Sequence, residues 1–273
     1  MLKFSTLCLL SAIGFSTCMA QDNEKVVQEP MYHLNLKVDI PVTAVTGGWA
    51  GYALSKIYGK EESSVAEIMA LDKNKLNFFD RWAAGRHSEN AANNSDYFFY
   101  GSMPIPLLLI AADRGPRKEG LKIGFMYLEA MSLTGVLYTS GTYFIDRYRP
   151  EAYSEDLAVG LRQNGNSRNS FFAGHVALVS TATFFTAGVY NDYHPHSNWK
   201  YVFYGGAIVA TGTTAYLRYK AGKHFPTDIV LGTAVGTLSG LLVPYFHRNN
   251  KNNKLGISPM MGGMNGLTLT YKM

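Results

Sequence analysis

Arg218-Tyr219-Lys220-Ala221-Gly222-Lys223-His224-Phe225-Pro226-Thr227-Asp228 separates two apolar segments, one ending at Leu217 and the next beginning at Ile229. Proline followed by an acidic residue predicts a helix start at Pro226-Thr227-Asp228. His224 then lies in the entry to that helix. Asp228, four residues on, is placed to reach back to its ring. A carboxylate that takes the proton of one ring nitrogen fixes the tautomer and makes the other nitrogen a better nucleophile. Arg218 adds a planar, permanently charged fork suited to a phosphate. Taken alone, the same residues also make an ordinary charged turn between two helices, so the rest of the chain has to decide.

Outward from this stretch the apolar segments recur: Tyr97–Ala112, Ile123–Ile145 (containing Glu129), Phe171–Tyr190, Tyr201–Leu217 and Ile229–Phe246. Each is long enough for a helix and too long for an ordinary strand. Ile40–Ser55, Gly/Ala-rich and free of charge until its end, adds another. Ser64-Val65-Ala66-Glu67 reads as a capping box opening a short helix to about Leu71. Residues 21–39 are polar and read as a linker or arm. In residues 72–96, Leu76, Phe78, Phe79 and Trp82 interrupt a polar run, and Asp80-Arg81 reads as an ion pair. Leu255–Met260 and Leu267–Tyr271 flank Gly262-Gly263-Met264-Asn265-Gly266, the pattern of a small hairpin. The expected fold is all-α: an up-and-down bundle of about six core helices with a small C-terminal β-hairpin. The expected division is a signal at 1–20, an N-terminal arm and helices at 21–96, the bundle at 97–247 and a tail at 248–273.

Two further clusters give the opening stretch a chemical sense. Asp146-Arg147-Tyr148-Arg149-Pro150 closes the segment ending at Ile145, and Ser170-Phe171-Phe172-Ala173-Gly174-His175 opens the next helix. In an up-and-down bundle these loops and the Arg218–Asp228 loop fall at one end. Arg147, Arg149, His175, Arg218, His224 and Asp228 can therefore converge. Two or three guanidiniums hold a phosphate. Gly174 permits close backbone approach, and amides at a helix N-terminus add anion contacts. One histidine attacks phosphorus while its carboxylate orients it, and the second protonates the departing alkoxide. Phosphoryl transfer relies mostly on positioning and charge stabilisation, so the expectation includes no metal and no cofactor.

The three clusters resemble the three-part signature of the type-2 phosphatidic acid phosphatase superfamily: Lys-x6-Arg-Pro, then Pro-Ser-Gly-His, then Ser-Arg-x5-His-x3-Asp. That superfamily includes membrane lipid phosphatases, bacterial non-specific acid phosphatases and vanadium haloperoxidases. The chain offers Arg149-Pro150, then Gly174-His175, then Arg218, His224 and Asp228, in the same order, and the resemblance spans about residues 97–247. It implies that His224 is the nucleophile forming a phosphohistidine, Asp228 its partner and His175 the general acid, with Arg149 and Arg218 on the phosphate. The chain departs from the pattern at Thr142 in place of the lysine, Phe172 and Ala173 in place of Pro-Ser, and Leu217 in place of the last serine. A cation and a phosphate-contacting hydroxyl are thereby missing. Arg147 is the nearest substitute for the cation.

Composition narrows the setting. The 273 residues are 47% hydrophobic and 16% charged, below the usual charged fraction of about a quarter. A net charge of +5 suits an anionic substrate or a membrane surface, and no Lys/Arg run is dense enough for nucleic acid. Residues 1–20 read as a secretory signal, with Lys3 before the apolar run Leu7–Phe15 and Cys18-Met19-Ala20 at the cleavage positions. Both cysteines, Cys8 and Cys18, fall inside it, so the mature chain offers no disulfide and no cysteine metal site. Apolar helices that are short for a span, together with a mean hydropathy of -0.05, suit either a membrane-embedded or a membrane-associated protein. The leading expectation is an exported, metal-independent phosphomonoesterase. It would act on a lipid phosphate (phosphatidate, lipid A or polyprenyl phosphate type) at the outer face of the cytoplasmic membrane, in the periplasm. A soluble periplasmic acid phosphatase acting on small phosphate esters is the second reading. A catalytically weakened envelope scaffold is the third.

Overall fold

The structure, a computed structural model, describes residues 29–249, 255–260 and 266–271. The expected signal at residues 1–20, with Cys8 and Cys18, lies outside them. The helices are α1 (Leu36–Tyr58), α2 (Val65–Met69), α3 (Phe78–Arg81), α4 (Glu89–Ser102), α5 (Ile105–Ala112), α6 (Arg114–Lys118), α7 (Gly120–Phe144), α8 (Val159–Gln163), α9 (Gly174–Tyr193), α10 (Trp199–Lys220) and α11 (Pro226–His247). The all-α expectation holds, but more helices appear than the six expected. Short helices occupy the connections. The segment Tyr97–Ala112 is also two helices rather than one. Pro104 and Pro106 have no N–H to give the preceding turn, so α4 stops at Ser102 and α5 restarts at Ile105. The capping box at Ser64 is present, with Glu67 N–H donating to Ser64 Oγ and Ser64 N–H to Glu67 Oε2. Residues 29–249 contain no strand. Beyond them only backbone is described, with Leu255–Met260 antiparallel to Gly266–Tyr271.

Helix α9 is the axis of the bundle. It is buried along most of its length and packs against α4, α5, α7, α10 and α11. Small residues make this possible. On α11, Gly232, Gly236 and Gly240 recur every fourth residue and so share one face. A Cβ at Gly232 would meet the Ala173 carbonyl oxygen at 2.6 Å, one at Gly236 the Ala177 oxygen at 2.1 Å, and one at Gly240 the Thr181 oxygen at 2.7 Å. The two helices therefore touch backbone to backbone along this seam. Buried hydroxyls between helices return their hydrogens to their own backbone or to each other. Thr134 Oγ1 donates to the Ala130 carbonyl at 3.0 Å and lies 2.7 Å from Thr181 Oγ1. Ser180 Oγ and Thr237 Oγ1 are 2.8 Å apart. Most of the buried Ser and Thr hydroxyls in these helices are satisfied in this way, Thr43 and Thr211 being exceptions.

Part of the expected N-terminal arm is not a linker. Tyr32 is fully buried, and its hydroxyl donates to Asp192 Oδ2 at 2.8 Å. The Met31 and Tyr32 amides donate to the Glu119 carboxylate at 2.7 and 3.3 Å. His33 N–H donates to the His247 carbonyl at 2.8 Å, and Asn249 N–H to that of Met31 at 2.8 Å. The segment entering α1 is thus tied to the end of α11, and α1 begins at Leu36 rather than at Ile40.

Candidate active site

The loop that carries His224 is built by two helix ends. Helix α10 closes in a Schellman motif: Lys223 N–H donates to the Arg218 carbonyl at 3.1 Å and Gly222 N–H to that of Tyr219 at 3.1 Å. Gly222 has φ +69°, the left-handed region, and a Cβ there would sit 1.8 Å from the Arg86 carbonyl oxygen. Four residues after Gly222, Pro226 opens α11, and Phe225 N–H donates to Asp228 Oδ2 at 3.0 Å. His224 is held between these two ends and is buried.

The ring of His224 is fixed from an unexpected direction. Its Nδ1 lies 2.6 Å from the Ser170 carbonyl oxygen. A carbonyl only accepts, so Nδ1 carries the proton and Nε2 keeps its lone pair. Asp228 makes no contact with the ring. Its Oδ2 accepts from Ser170 Oγ at 2.7 Å and from the Phe225 amide, and its Oδ1 pairs with Arg147. The expected direct contact is replaced by a relay: Asp228 holds Ser170, and Ser170 holds His224. Burial, followed by the charges of Arg218 and Arg149, keeps the ring well below the ordinary histidine range.

Arg147 is committed elsewhere. One arm donates to Asp80 Oδ2 at 2.6 Å, the other to Thr227 Oγ1 at 3.1 Å and to Asp228, and the guanidinium lies over the Phe225 ring at 4.6 Å. It braces the loop, with Nη1 and Nη2 both engaged by carboxylates. Asp80, fully buried, also accepts the Thr227 amide at 3.1 Å and hydroxyl at 2.7 Å. Burial alone would raise its pKa, yet these bonds and those from Asn77 and Arg147 hold it below the usual carboxylate value. The expected Asp80–Arg81 pair does not form. Arg81 donates instead to the Asn74 and Leu76 carbonyls at 2.9 and 3.2 Å. Adjacent residues on a helix point apart, so Asp80 faces in and Arg81 out.

Arg149 and Arg218 are both buried, and the Nε hydrogen of each has no hydrogen-bond acceptor among the described residues. Arg149 lies 3.3 Å from Asn166 Oδ1 and 3.7 Å from Glu151 Oε1. Arg218 lies 3.2 Å from Ser95 Oγ and 3.8 Å from Asp96 Oδ1. His175, in the first turn of α9, places Nε2 3.3 Å from the same Asp96 oxygen, and Phe99 packs on its ring at 4.5 Å. Asp96 therefore bridges Arg218 and His175. Gly174 touches the Tyr138 ring so closely that a Cβ would stand 2.6 Å from it. At the departing positions, Thr142 is buried and donates to the Phe171 carbonyl at 2.8 Å, while the Ala173 amide donates to the Asp228 carbonyl at 3.2 Å. Phe172 is buried, and the Leu217 carbonyl accepts the Ala221 amide at 2.8 Å, so both serve the backbone and the core.

These positions carry the family pattern, and residues 121–252 match the model described as the PAP2 superfamily. No curated protein matches the chain. Among solved structures it is similar to LpxE of Aquifex aeolicus at 22% identity, covering 61% of this chain and 92% of that one with a TM-score of 0.43. It is also similar to a transmembrane PAP2-type phosphatidylglycerolphosphate phosphatase of Bacillus subtilis at 18% identity, covering 79% and 98% with a TM-score of 0.47.

Sequence reasoning missed several residues of this site. Lys223, next to His224, places Nζ 2.8 and 2.6 Å from the two Glu151 oxygens, and Glu151 also faces Arg149. Burial, with Arg149 and Arg218 nearby, lowers its pKa against the opposing pull of Glu151. Lys60 donates to the Thr142 carbonyl at 2.9 Å, so a lysine from elsewhere in the chain reaches the turn where the PAP2 pattern places one. Ser170 and Lys223 both stand within the motif clusters, where adjacency was the available signal. Asp96 and Asp80 lie in a polar run that carries no motif.

Proposed function

We propose that the chain is a metal-independent phosphomonoesterase that works through a phosphohistidine on His224. One observation carries the proposal: two buried guanidiniums with unpaired Nε hydrogens flank a histidine whose Nδ1 is held by a carbonyl. Arg149 and Arg218 bind the phosphoryl oxygens bidentately. His224 Nε2 attacks phosphorus, the P–N bond forms, and the P–O bond to the leaving alcohol breaks. His175 gives that oxygen its proton. Water then attacks the phosphohistidine, His175 takes the water proton, and inorganic phosphate leaves. The bound anion favours a protonated His175, because it offsets the positive charge of the arginines. Asp228 acts through Ser170 and the loop backbone. Lys223 supplies the cation absent at Thr142, exchanging Glu151 for substrate oxygen.

The substrate we propose is a lipid phosphate. Support comes from the surface around the site. Helix α3 sends Asp80 inward to the catalytic loop while Phe78 (82% exposed), Phe79 and Trp82 (60% exposed) face out. Aromatic side chains with this exposure suit a bilayer interface. Helix α11 is, among the described residues, the one helix long and apolar enough to cross a membrane, and only 33% of its apolar window is buried in the protein. Outward-facing Val202, Ile208, Val209 and Tyr216 on α10 continue that apolar surface. With the signal-like residues 1–20, this supports an exported enzyme at the outer face of the cytoplasmic membrane. The measurement is phosphate release by purified protein in EDTA, with lipid phosphates beside a soluble ester and His224→Ala in parallel. Lipid-selective release abolished in the variant is the expected result. Faster release from the soluble ester moves the protein to the acid phosphatases, the reading that the mean hydropathy of -0.05 favours. Release unchanged in His224→Ala overturns the histidine assignment, and no release from any ester overturns the phosphatase reading in favour of a scaffold.

A further inference from the structure

At the end of the bundle remote from His224, ionisable side chains from three helices meet. Asp39 comes from the start of α1, Glu129 from the body of α7 and His247 from the last position of α11. One ligand atom of each lies within 4.8 Å of the others. His247 Nε2 is 3.4 Å from Asp39 Oδ2 and 3.4 Å from Glu129 Oε2. Its Nδ1 donates to the Val243 carbonyl at 2.8 Å. By the same logic as at His224, Nδ1 carries a proton and Nε2 is aimed between two carboxylate oxygens.

This arrangement suits a cation. Asp39 is only 7% exposed, and neither Asp39 Oδ2 nor Glu129 Oε2 has a hydrogen-bond partner among the described residues. No lysine or arginine among those residues pairs with either carboxylate. One buried and one partly buried carboxylate against at most one imidazolium leave negative charge uncompensated, which proteins avoid by pairing it, by taking up a proton or by coordinating a metal. The spacing suits the metal. Ligands about 2.1 Å from a tetrahedral metal stand roughly 3.4 Å apart. A histidine whose other nitrogen donates to a backbone carbonyl is the usual metal-binding posture.

We propose that Asp39, Glu129 and His247 bind a divalent transition-metal ion, zinc or manganese by their donor set, and that the ion clamps α1, α7 and α11 together. Helix α11 has 22 residues, so the clamp stands about 33 Å of helix from the catalytic loop. It is structural. It also lies beside the His33–His247 backbone contact, so it anchors the point where the chain enters the bundle.

The test uses the full chain, purified in detergent without chelator. Metal content is measured first. The protein is then stripped with EDTA and titrated with zinc and with manganese alone, following thermal unfolding and phosphate release at room temperature. About one equivalent of metal per chain is expected. Tm should rise by about 5–10 °C at a hundredfold excess over Kd, with activity at room temperature unchanged by stripping. Glu129→Gln and His247→Ala should lose both the metal and the Tm response. If a variant does not fold, the wild-type titration and the visible absorption spectrum of its cobalt form decide instead. Wild-type protein that holds no metal and shows no Tm response to either ion overturns the proposal. So does metal retained at full stoichiometry in both variants, or a Tm that follows pH but neither metal, the signature of a shared proton. Failure of the phosphatase reading would appear separately, as absent phosphate release with the clamp intact.

Discussion

The Ser170 hydroxyl donates to Asp228 at 2.7 Å while the Ser170 carbonyl accepts the His224 ring at 2.6 Å. One residue thus transmits the position of the carboxylate to the histidine. A hydrogen bond to a charged group is worth about 1.5–3 kcal/mol, and a tenfold rate change corresponds to about 1.4 kcal/mol. Ser170→Ala is therefore expected to lower kcat by at least about tenfold with little change in KM. Asp228→Ala, which also releases Phe225 and Arg147, should lose more. A Ser170→Ala enzyme with wild-type kcat would show that the carbonyl alone suffices.

Lys223 sits between Glu151 and the arginines. Lys223→Met should weaken competitive inhibition by inorganic phosphate by about tenfold, the scale of one charge-assisted hydrogen bond. Inhibition constants measured for both proteins test this, and equal constants would leave the cation missing at Thr142 without a replacement.

The pH dependence follows from His224. Its folded pKa lies well below 6.5, whereas the unfolded chain titrates near 6.5. Between those values the unfolded chain binds more protons, so stability falls as pH drops below about 6.5. Tm should be lower at pH ~5 than at pH ~7, and His224→Asn, uncharged in both states, should shrink that difference. A variant that keeps the full difference assigns it to other groups. In activity, the acid limb of kcat/KM belonging to the nucleophile should lie well below the ordinary histidine range.

Two glycines should respond to alanine with opposite signs. At Gly236 a methyl group would stand 2.1 Å from the Ala177 carbonyl oxygen, so Gly236→Ala is expected to cost about 1–3 kcal/mol through overpacking. At Gly205, on α10, nothing lies within 4 Å, and Gly205→Ala should stabilise by about 0.5–1 kcal/mol through helix propensity. Denaturation midpoints for the pair give the answer. Equal and small effects would mean that α9 and α11 can move apart.

Much of this was legible in the sequence. Helical segments announced themselves by length, and the three clusters by their place between segments. An up-and-down order then brought His175, Arg149, Arg218 and His224 to one end. The failures share a cause: a short stretch shows which groups are near in sequence but not which way they face. Asp80 was paired with Arg81, yet helix geometry turned it inward to Arg147 and Thr227. The charge of Arg147 is visible in the sequence, but its two carboxylate partners, Asp80 and Asp228, are not. Asp228 was matched with His224 because four residues separate them. The Phe225 amide that the helix start leaves unpaired claimed the carboxylate instead. Glu129 stood out as a charge in an apolar segment, but Asp39 and His247, the residues that give it meaning, lie far away along the chain.

The glycine seam between α9 and α11 makes the spacing of His175 and His224 a property of the main chain. His175 rides on the first turn of one helix and His224 just ahead of the other, and the contact nearest them, Gly232 on Ala173, is closed by backbone. Side chains on the outer faces of the bundle play no part in that spacing. Evolution can therefore repaint the exterior, from oily to wettable, while the distance between the two histidines stays the same.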